Sequence, residues 1–249
     1  MTLRLRREAM SPPNTIAAVV PREVSTDLSM LERLVDPHGR EVVDIGCGAG
    51  ALARALAIAG ARVMALEVSE DQLASALAGD GGSGVRYVVG RAQALPLEDE
   101  AVDIAVFMRT LHHVPLEDMT QALREARRVV RPDGTVYVAE PLSEGDFWAL
   151  TSMVEDELEA RQAAQSALAQ ALEIGLEPIS TVEYDVRLRL AGVDQFRELT
   201  VAVDPSRAEI FAAHSAELAE AFQRTGEPGE RPGERCFRSP TRVDVLRPL

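Results

Sequence analysis

Cysteine is nearly absent: the 249-residue chain has only Cys47 and Cys236. Two cysteines do not make a disulfide framework, so a reducing, cytoplasmic setting is expected. Long apolar runs are missing too. Nothing approaches the roughly 20 residues of a membrane span. The stretch 16–20, which follows Arg4, Arg6 and Arg7, is too short for a signal-peptide core, and Pro21 ends it. Positive charge is in deficit, with 26 basic against 40 acidic side chains and a net charge of -14. Such a surface repels phosphate backbones and anionic membranes, so neither nucleic acid nor membrane insertion is expected. There is no G-x-x-x-x-G-K-[ST] loop, no G-x-S-x-G elbow and no zinc-spaced Cys/His cluster, so no metal is expected.

Apolar residues make up 46% of the chain, enough for a sizeable core. The prolines and arginines of residues 1–23 predict a loose arm. Residues 25–35 then read as a helix with Leu28, Leu31, Leu34 and Val35 on one face. From there strands at 41–45, 62–66, 85–89, 102–107 and 135–139 alternate with helices at 51–59, from Ser69, and at 116–130. Ser69 and Gln72 form a capping box. Such alternation implies right-handed βαβ units and a parallel sheet. After Pro141 the pattern changes. Residues 147–172 read as one long helix or two joined ones, 182–190 as a strand and 208–222 as a helix. Residues 236–246 read as a last strand that Pro240 pushes to an edge. The prediction is an α/β fold: a doubly wound, mostly parallel seven-stranded sheet with helices on both faces and a helical cap after the fifth strand. Residues 1–35 would form an arm and helix that cover one side, 36–141 a ligand-binding core, and 142–249 the cap and the strands that complete the sheet.

The run Val42-Val43-Asp44-Ile45-Gly46-Cys47-Gly48-Ala49-Gly50 takes an apolar strand into a glycine turn and a helix. Glycines let the backbone approach a ligand closely, and the carboxyl end of the first strand is where doubly wound sheets bind one. Glu67 ends the next strand, placed to accept both hydroxyls of a ribose. Together they imply an adenosine-type ligand. Gly46-x-Gly48-x-x-Ala51 also fits a dinucleotide fingerprint, but a pyrophosphate there would meet the Asp44 carboxylate. S-adenosylmethionine has no phosphate and carries a sulfonium and an ammonium, so it fits Asp44 better.

The stretch from Val42 to Pro141 resembles the class I S-adenosylmethionine-dependent methyltransferases, in the branch that includes the quinone-biosynthesis enzymes. The matching motifs are Asp44 to Gly50, Glu67, Gly90-Arg91-Ala92-Gln93-Ala94-Leu95-Pro96, Phe107 to Val114, and Glu125 to Gly134. The resemblance implies S-adenosyl-L-methionine as cofactor and S-adenosyl-L-homocysteine as product. It implies that Asp44, Gly46, Cys47, Gly48 and Gly50 surround the methionine part. Glu67 would hold the ribose, Val68 lie along the adenine, Ala92 offer its N–H to an adenine nitrogen, and Phe107 offer its carbonyl to the methionine ammonium. The family often has an aspartate where Arg91 stands. Arginine cannot accept a hydrogen bond, so either Gln93 supplies the acceptor or that contact is lost.

Methyl transfer is a direct in-line displacement, and an acceptor with a proton to lose gains from a general base. His112 and His113 follow the fourth strand and are the catalytic candidates, against a reading of the pair as packing and capping residues. Cys47 reads as a small residue in a tight turn. Phe147 and Trp148 either line an acceptor pocket or belong to the core. The fourth strand lacks the Asn/Asp-Pro-Pro-Tyr/Phe motif of base and amide methylation, so a small organic acceptor is expected. The competing functions are an NAD-dependent oxidoreductase, opposed by Asp44, and a non-catalytic module that binds S-adenosylmethionine. Helix 154–171 either packs on a second copy of the chain, making a homodimer, or forms a lid.

Overall fold

The computed structural model describes residues 21–249, so the arm with Arg4, Arg6 and Arg7 lies outside the described residues. The chain runs β1 (Glu23–Val24), α1 (Asp27–Leu34), β2 (Glu41–Ile45), α2 (Ala51–Ile58), β3 (Arg62–Glu67), α3 (Glu70–Ala78), β4 (Arg86–Val89) and β5 (Val102–Met108). Two 3-10 turns, Leu111–His113 and Leu116–Asp118, lead into α4 (Met119–Val129) and β6 (Val130–Pro141). The second half holds α5 (Gly145–Thr151), α6 (Leu158–Ala169), β7 (Leu176–Leu190), α7 (Val193–Val203), α8 (Arg207–Ala213), α9 (Ser215–Thr225), β8 (Glu227–Pro228) and β9 (Arg235–Pro248).

All strands join one sheet in the order β1-β7-β9-β6-β5-β2-β3-β4, with β8 paired to β9. The pairs among β2 to β6 are parallel, whereas β9 runs antiparallel to both β6 and β7. Each of the seven predicted strands is present. The count of nine comes from β1 and β8, two residues each, which are too short to carry an alternating pattern. One expectation is corrected. β9 is interior, not an edge. Pro240 lies one residue beyond the β6 ladder, which ends with Pro141 opposite Thr241. Its carbonyl accepts from the Leu142 amide at 2.8 Å on that same side. The missing proline N–H therefore faces a ladder that has already finished.

The helices follow their local signals. Thr26 caps α1, its hydroxyl accepting from the Ser29 amide. Ser69 caps α3 by accepting from the Gln72 amide. The Gln72 side chain does not close the box; it donates to the Ala202 carbonyl at 2.8 Å and ties α3 to the end of α7. The predicted 147–172 helix is broken between Thr151 and Leu158, where Val154 turns inward to 4% exposure. The 208–222 helix is divided at His214, and α7 was not predicted.

Among the described residues, three apolar clusters hold the fold together. One lies beneath α4 and α6 and takes in Phe107, Leu123 and Val138. A second lies beneath α1 and α2 on the opposite face of the sheet, with Met30, Leu56 and Tyr137. The third is separate, built from Phe196, Phe211, Phe222 and Phe237 of the cap and β9. No helix among the described residues is long and apolar enough to cross a membrane.

Candidate functional site

The carboxyl ends of β2, β3, β4 and β5 line up along one edge of the sheet, because parallel strands point the same way. A cleft of about 690 Å³ opens there. Its floor is the β2–α2 turn. Gly46 and Gly48 have φ of +75° and +53°, in the left-handed region that glycine adopts without Cβ strain. A Cβ on Gly46 would lie 2.2 Å from Thr110 Cγ2, whereas one on Gly48 would meet nothing within 4 Å. Gly46 is thus fixed by packing against the β5 end, and Gly48 faces open space. The Gly46 and Cys47 amides donate to the Leu66 carbonyl at 2.7 and 2.9 Å, pinning the turn to β3.

Glu67 closes β3 and is 8% exposed. Its Oε2 accepts from the Gly48 amide at 2.8 Å, and its Oε1 from the Val68 and Ser69 amides at 2.9 and 3.0 Å. One carboxylate therefore organises both the glycine turn and the start of α3. Val68, Ala92 and Gln93 line the same cleft. Gln93 spends its amide NH₂ on Asp118 at 2.9 Å, which leaves its carbonyl oxygen as the acceptor beside Arg91.

Behind the turn lies a second cavity of about 390 Å³, lined by Asp27 and Leu28 of α1, Asp44, Cys47, Met108 and the start of α2. Gly46 borders both cavities. Asp44 is 1% exposed and its Oδ2 has no hydrogen-bond partner among the described residues. Burial, helped by the Glu67 charge, pushes its carboxyl up to about 7. A buried carboxylate oxygen without a partner is costly, and a cationic ligand would satisfy it. Burial also lifts the Cys47 thiol to about 12, so it is an inert small residue in the turn. Gly50 and Phe107 line neither cavity. Phe107 is fully buried between Ile45 and Val138, and a Cβ on Gly50 would strike Tyr87 and Arg54.

The two histidines part company. His112 is buried, and its Nδ1 pairs with Glu140, which also accepts from the Thr110 and Leu111 amides at 3.1 and 2.8 Å. It lines neither cavity. His113 lines the main cleft, with its side chain 42% exposed. Burial and the adjoining His112 hold its imidazole down to about 4, so it is neutral. Glu140 was missed by sequence reasoning. It stands at the end of an apolar strand, as Glu67 does, and that shared signal could have found it.

The cap contributes Val203, Asp204 and Arg207 to the cleft, where its far wall meets Arg109 and Thr110. Arg109 has φ of +57°, rare for a side-chain-bearing residue. Its guanidinium grips Asp27 at 3.1 and 3.2 Å and the Thr241 hydroxyl at 2.9 Å, and the Tyr184 hydroxyl donates to the same aspartate at 2.5 Å. Burial alone would raise the Asp27 carboxyl; Arg109 and Tyr184 outweigh it and hold the carboxyl below its ordinary value. This cluster fastens α1 across the tip of β5. Phe147 meets Phe196 and Phe237 edge to face, and Trp148 lies under the Arg161 guanidinium; neither lines the cleft.

Comparison with known proteins accords with this geometry. Residues 43–138 match the family model of the methyltransferase domain. The ubiquinone biosynthesis O-methyltransferase of Pseudomonas fluorescens is 34% identical over 113 residues, which are 44% of this chain and 48% of that protein. Its counterpart in Methylococcus capsulatus is 36% identical over 102 residues, 40% of this chain and 42% of that protein. The chain thus spans about half the length of these relatives or less. Among solved structures, a putative methyltransferase from Bacillus halodurans superposes with a TM-score of 0.61 at 23% identity, covering 90% of this chain and all of that one. A [4+2]-cyclase superposes with a TM-score of 0.55 at 19% identity, covering 93% of this chain and 88% of that one. These likenesses show the fold, and a fold does not fix its chemistry.

Proposed function

We propose that this chain, whose residues 43–138 match the methyltransferase-domain family, binds S-adenosylmethionine across the two cavities that Gly46 borders and methylates a small organic acceptor. The observation that carries the reading is the unpartnered, buried oxygen of Asp44 in the smaller cavity. It suits a cationic, phosphate-free ligand and opposes a pyrophosphate.

Bound there, S-adenosylmethionine supplies a methyl group already activated by its sulfonium, and S-adenosylhomocysteine remains as product. The residues do the rest. Gly48 leaves room over the turn, and Glu67 presents a carboxylate toward a ribose at the cost of one of its present backbone donors. Ala92 and Gln93 border the adenine side, where the free Gln93 carbonyl replaces an aspartate. Asp44 balances the charge of the methionine end. Val203, Asp204 and Arg207 cover the cleft and exclude water, which favours an in-line approach of the acceptor. Of the predicted catalytic pair, His113 alone lines the cleft, which supports it as the group that takes a proton from an acceptor, with His112 a supporting residue held by Glu140.

Calorimetric titration of the purified chain tests the reading. S-adenosylmethionine and S-adenosylhomocysteine are expected to bind at micromolar concentration and NAD not to bind. Tight uptake of NAD with no response to S-adenosylmethionine would overturn it. Labelled-methyl transfer to a panel of small phenols, amines and acids then separates a transferase from a module that only binds the cofactor.

A further inference from the structure

The described residues bring together one cluster of donors that reaches beyond the cleft: His113 lines the cleft, whereas its neighbours His112 and Glu157 do not. His112 and His113 sit in the 3-10 turn after β5, and Glu157 is the residue that opens α6 in the cap. One donor atom from each lies within 4.8 Å of the others. His112 Nε2 is 3.7 Å from Glu157 Oε2, and His113 Nδ1 is 3.9 Å from Glu157 Oε1. No sequence spacing announces the set, since Glu157 is far along the chain from the histidine pair.

The geometry points to a divalent transition-metal site, of the zinc class, in which His112, His113 and Glu157 clip the cap to the cofactor core. The donor set of two imidazoles and one carboxylate suits zinc and its first-row neighbours. Metal bonds of about 2.0–2.2 Å place tetrahedral donors roughly 3.3–3.5 Å apart, so the three groups need to close by up to about 1.5 Å. The supporting groups are of the kind that metal ligands have. The His112 Nδ1 pairs with the Glu140 carboxylate, and its Nε2 stands on the Glu157 side, 3.7 Å from Oε2. Glu157 Oε2 accepts from Arg161 Nη2 at 2.8 Å, which orients the carboxylate and leaves Oε1 with looser neighbours.

Two guanidiniums stand nearby, and both are already engaged. Arg161 is bound to Glu157 and to the Leu142 carbonyl, and Arg207 pairs closely with Glu155 while its Nη2 stands 3.6 Å from Glu157 Oε1, a contact the ion would replace. The carboxylates of Glu140, Glu155 and Glu157 outnumber these two cations, so a dication enters a region of net negative charge. The consequence for the cleft follows from the imidazole. A neutral His113 that gives Nδ1 to the ion keeps its proton on Nε2, so the loaded site presents a donor rather than a base. The base role proposed for His113 belongs to the metal-free protein.

The test needs no acceptor and no cofactor. The full chain, stripped with a chelator, is titrated with Co²⁺ and followed by its visible ligand-field band, with melting temperature as a second readout. One equivalent is expected to bind and to raise the melting temperature by mass action. His113→Ala and Glu157→Gln are each expected to weaken binding at least tenfold, whereas His214→Ala, at an exposed His214–Glu217 pair, leaves it unchanged. His113 is partly exposed, so its substitution spares the fold; circular dichroism checks this. Absence of saturable binding, or binding that survives both substitutions, overturns the proposal. Affinity for S-adenosylmethionine, measured on the same samples, reports separately on the methyltransferase reading.

Discussion

Core and cap supply the same cleft in different ways. In the core, Gly46, Glu67, Gly90 and Arg109 each lie at the last residue of a parallel strand or one residue beyond it, so backbone direction alone delivers them to one edge. In the cap, Val203, Asp204 and Arg207 arrive from the junction of α7 and α8. They are held over the cleft by the Gln72–Ala202 hydrogen bond, the Arg207–Glu155 pair and a phenylalanine cluster that the core does not share. The core uses backbone geometry that few residues can replace. The cap uses side chains on helices, which can change without altering the sheet. The difference teaches where cofactor binding and acceptor choice are expected to reside.

The largest effect is expected at Gly46. A Cβ there would sit 2.2 Å from Thr110 with the backbone at φ +75°, so Gly46→Val should cost about 3 kcal/mol or more and abolish cofactor binding. Gly48→Ala meets no atom within 4 Å and should cost stability about 1 kcal/mol while weakening S-adenosylmethionine binding more strongly. Thermal melts paired with calorimetry read both, and equal behaviour of the two glycines would erase the distinction between packing and ligand clearance. Next is Phe196→Ala, which should destabilise the cap by about 3–4 kcal/mol. Limited proteolysis should then cut the cap first, with cofactor affinity reduced less than tenfold. An equal loss of core protection would show that the two regions unfold as one.

The pH response sharpens the comparison further. The Asp44 carboxyl rises from 3.8 to about 7 in the empty fold, so between those values the folded chain holds a proton that the unfolded chain has released. Raising the pH through that window removes stability from the empty protein. The same change ionises Asp44, so affinity for the cationic cofactor should rise, at most about tenfold per pH unit, and level off above about 7. Asp44→Asn should flatten both trends; a trend that persists in the variant would assign it to another group. Glu67→Gln should weaken cofactor binding about tenfold, with a modest drop in melting temperature as the Gly48 contact adjusts. The smallest change belongs to the cap wall: Val203→Ala should alter cofactor affinity less than threefold, and a larger loss would mean that the cap holds the adenosine directly.

Much of the core was legible because its signals are local. An apolar strand, a glycine turn and an acidic strand end occupy a few consecutive residues, and the five parallel strands of the core were read from patterns of that kind. Cys47 and Gly50 were motif positions whose side of the turn a string of letters does not give. The place of β9 was read wrongly because Pro240 marks a missing N–H without telling which neighbour, if any, stands opposite it. α7 escaped because its buried face rests on Phe196 and Thr200 alone.

The order of residues determined the apolar strands, the glycine turn and the acidic strand end, since each is a pattern of neighbours one to four positions apart. Tertiary structure alone decided that His112 turns to Glu140 while His113 turns to the cleft, that Arg109 is neutralised by Asp27, and that Glu157 stands against the histidine pair. Those outcomes depend on segments tens of residues apart being brought within a few ångströms, where burial and charge choose the partners, and no local pattern encodes that choice.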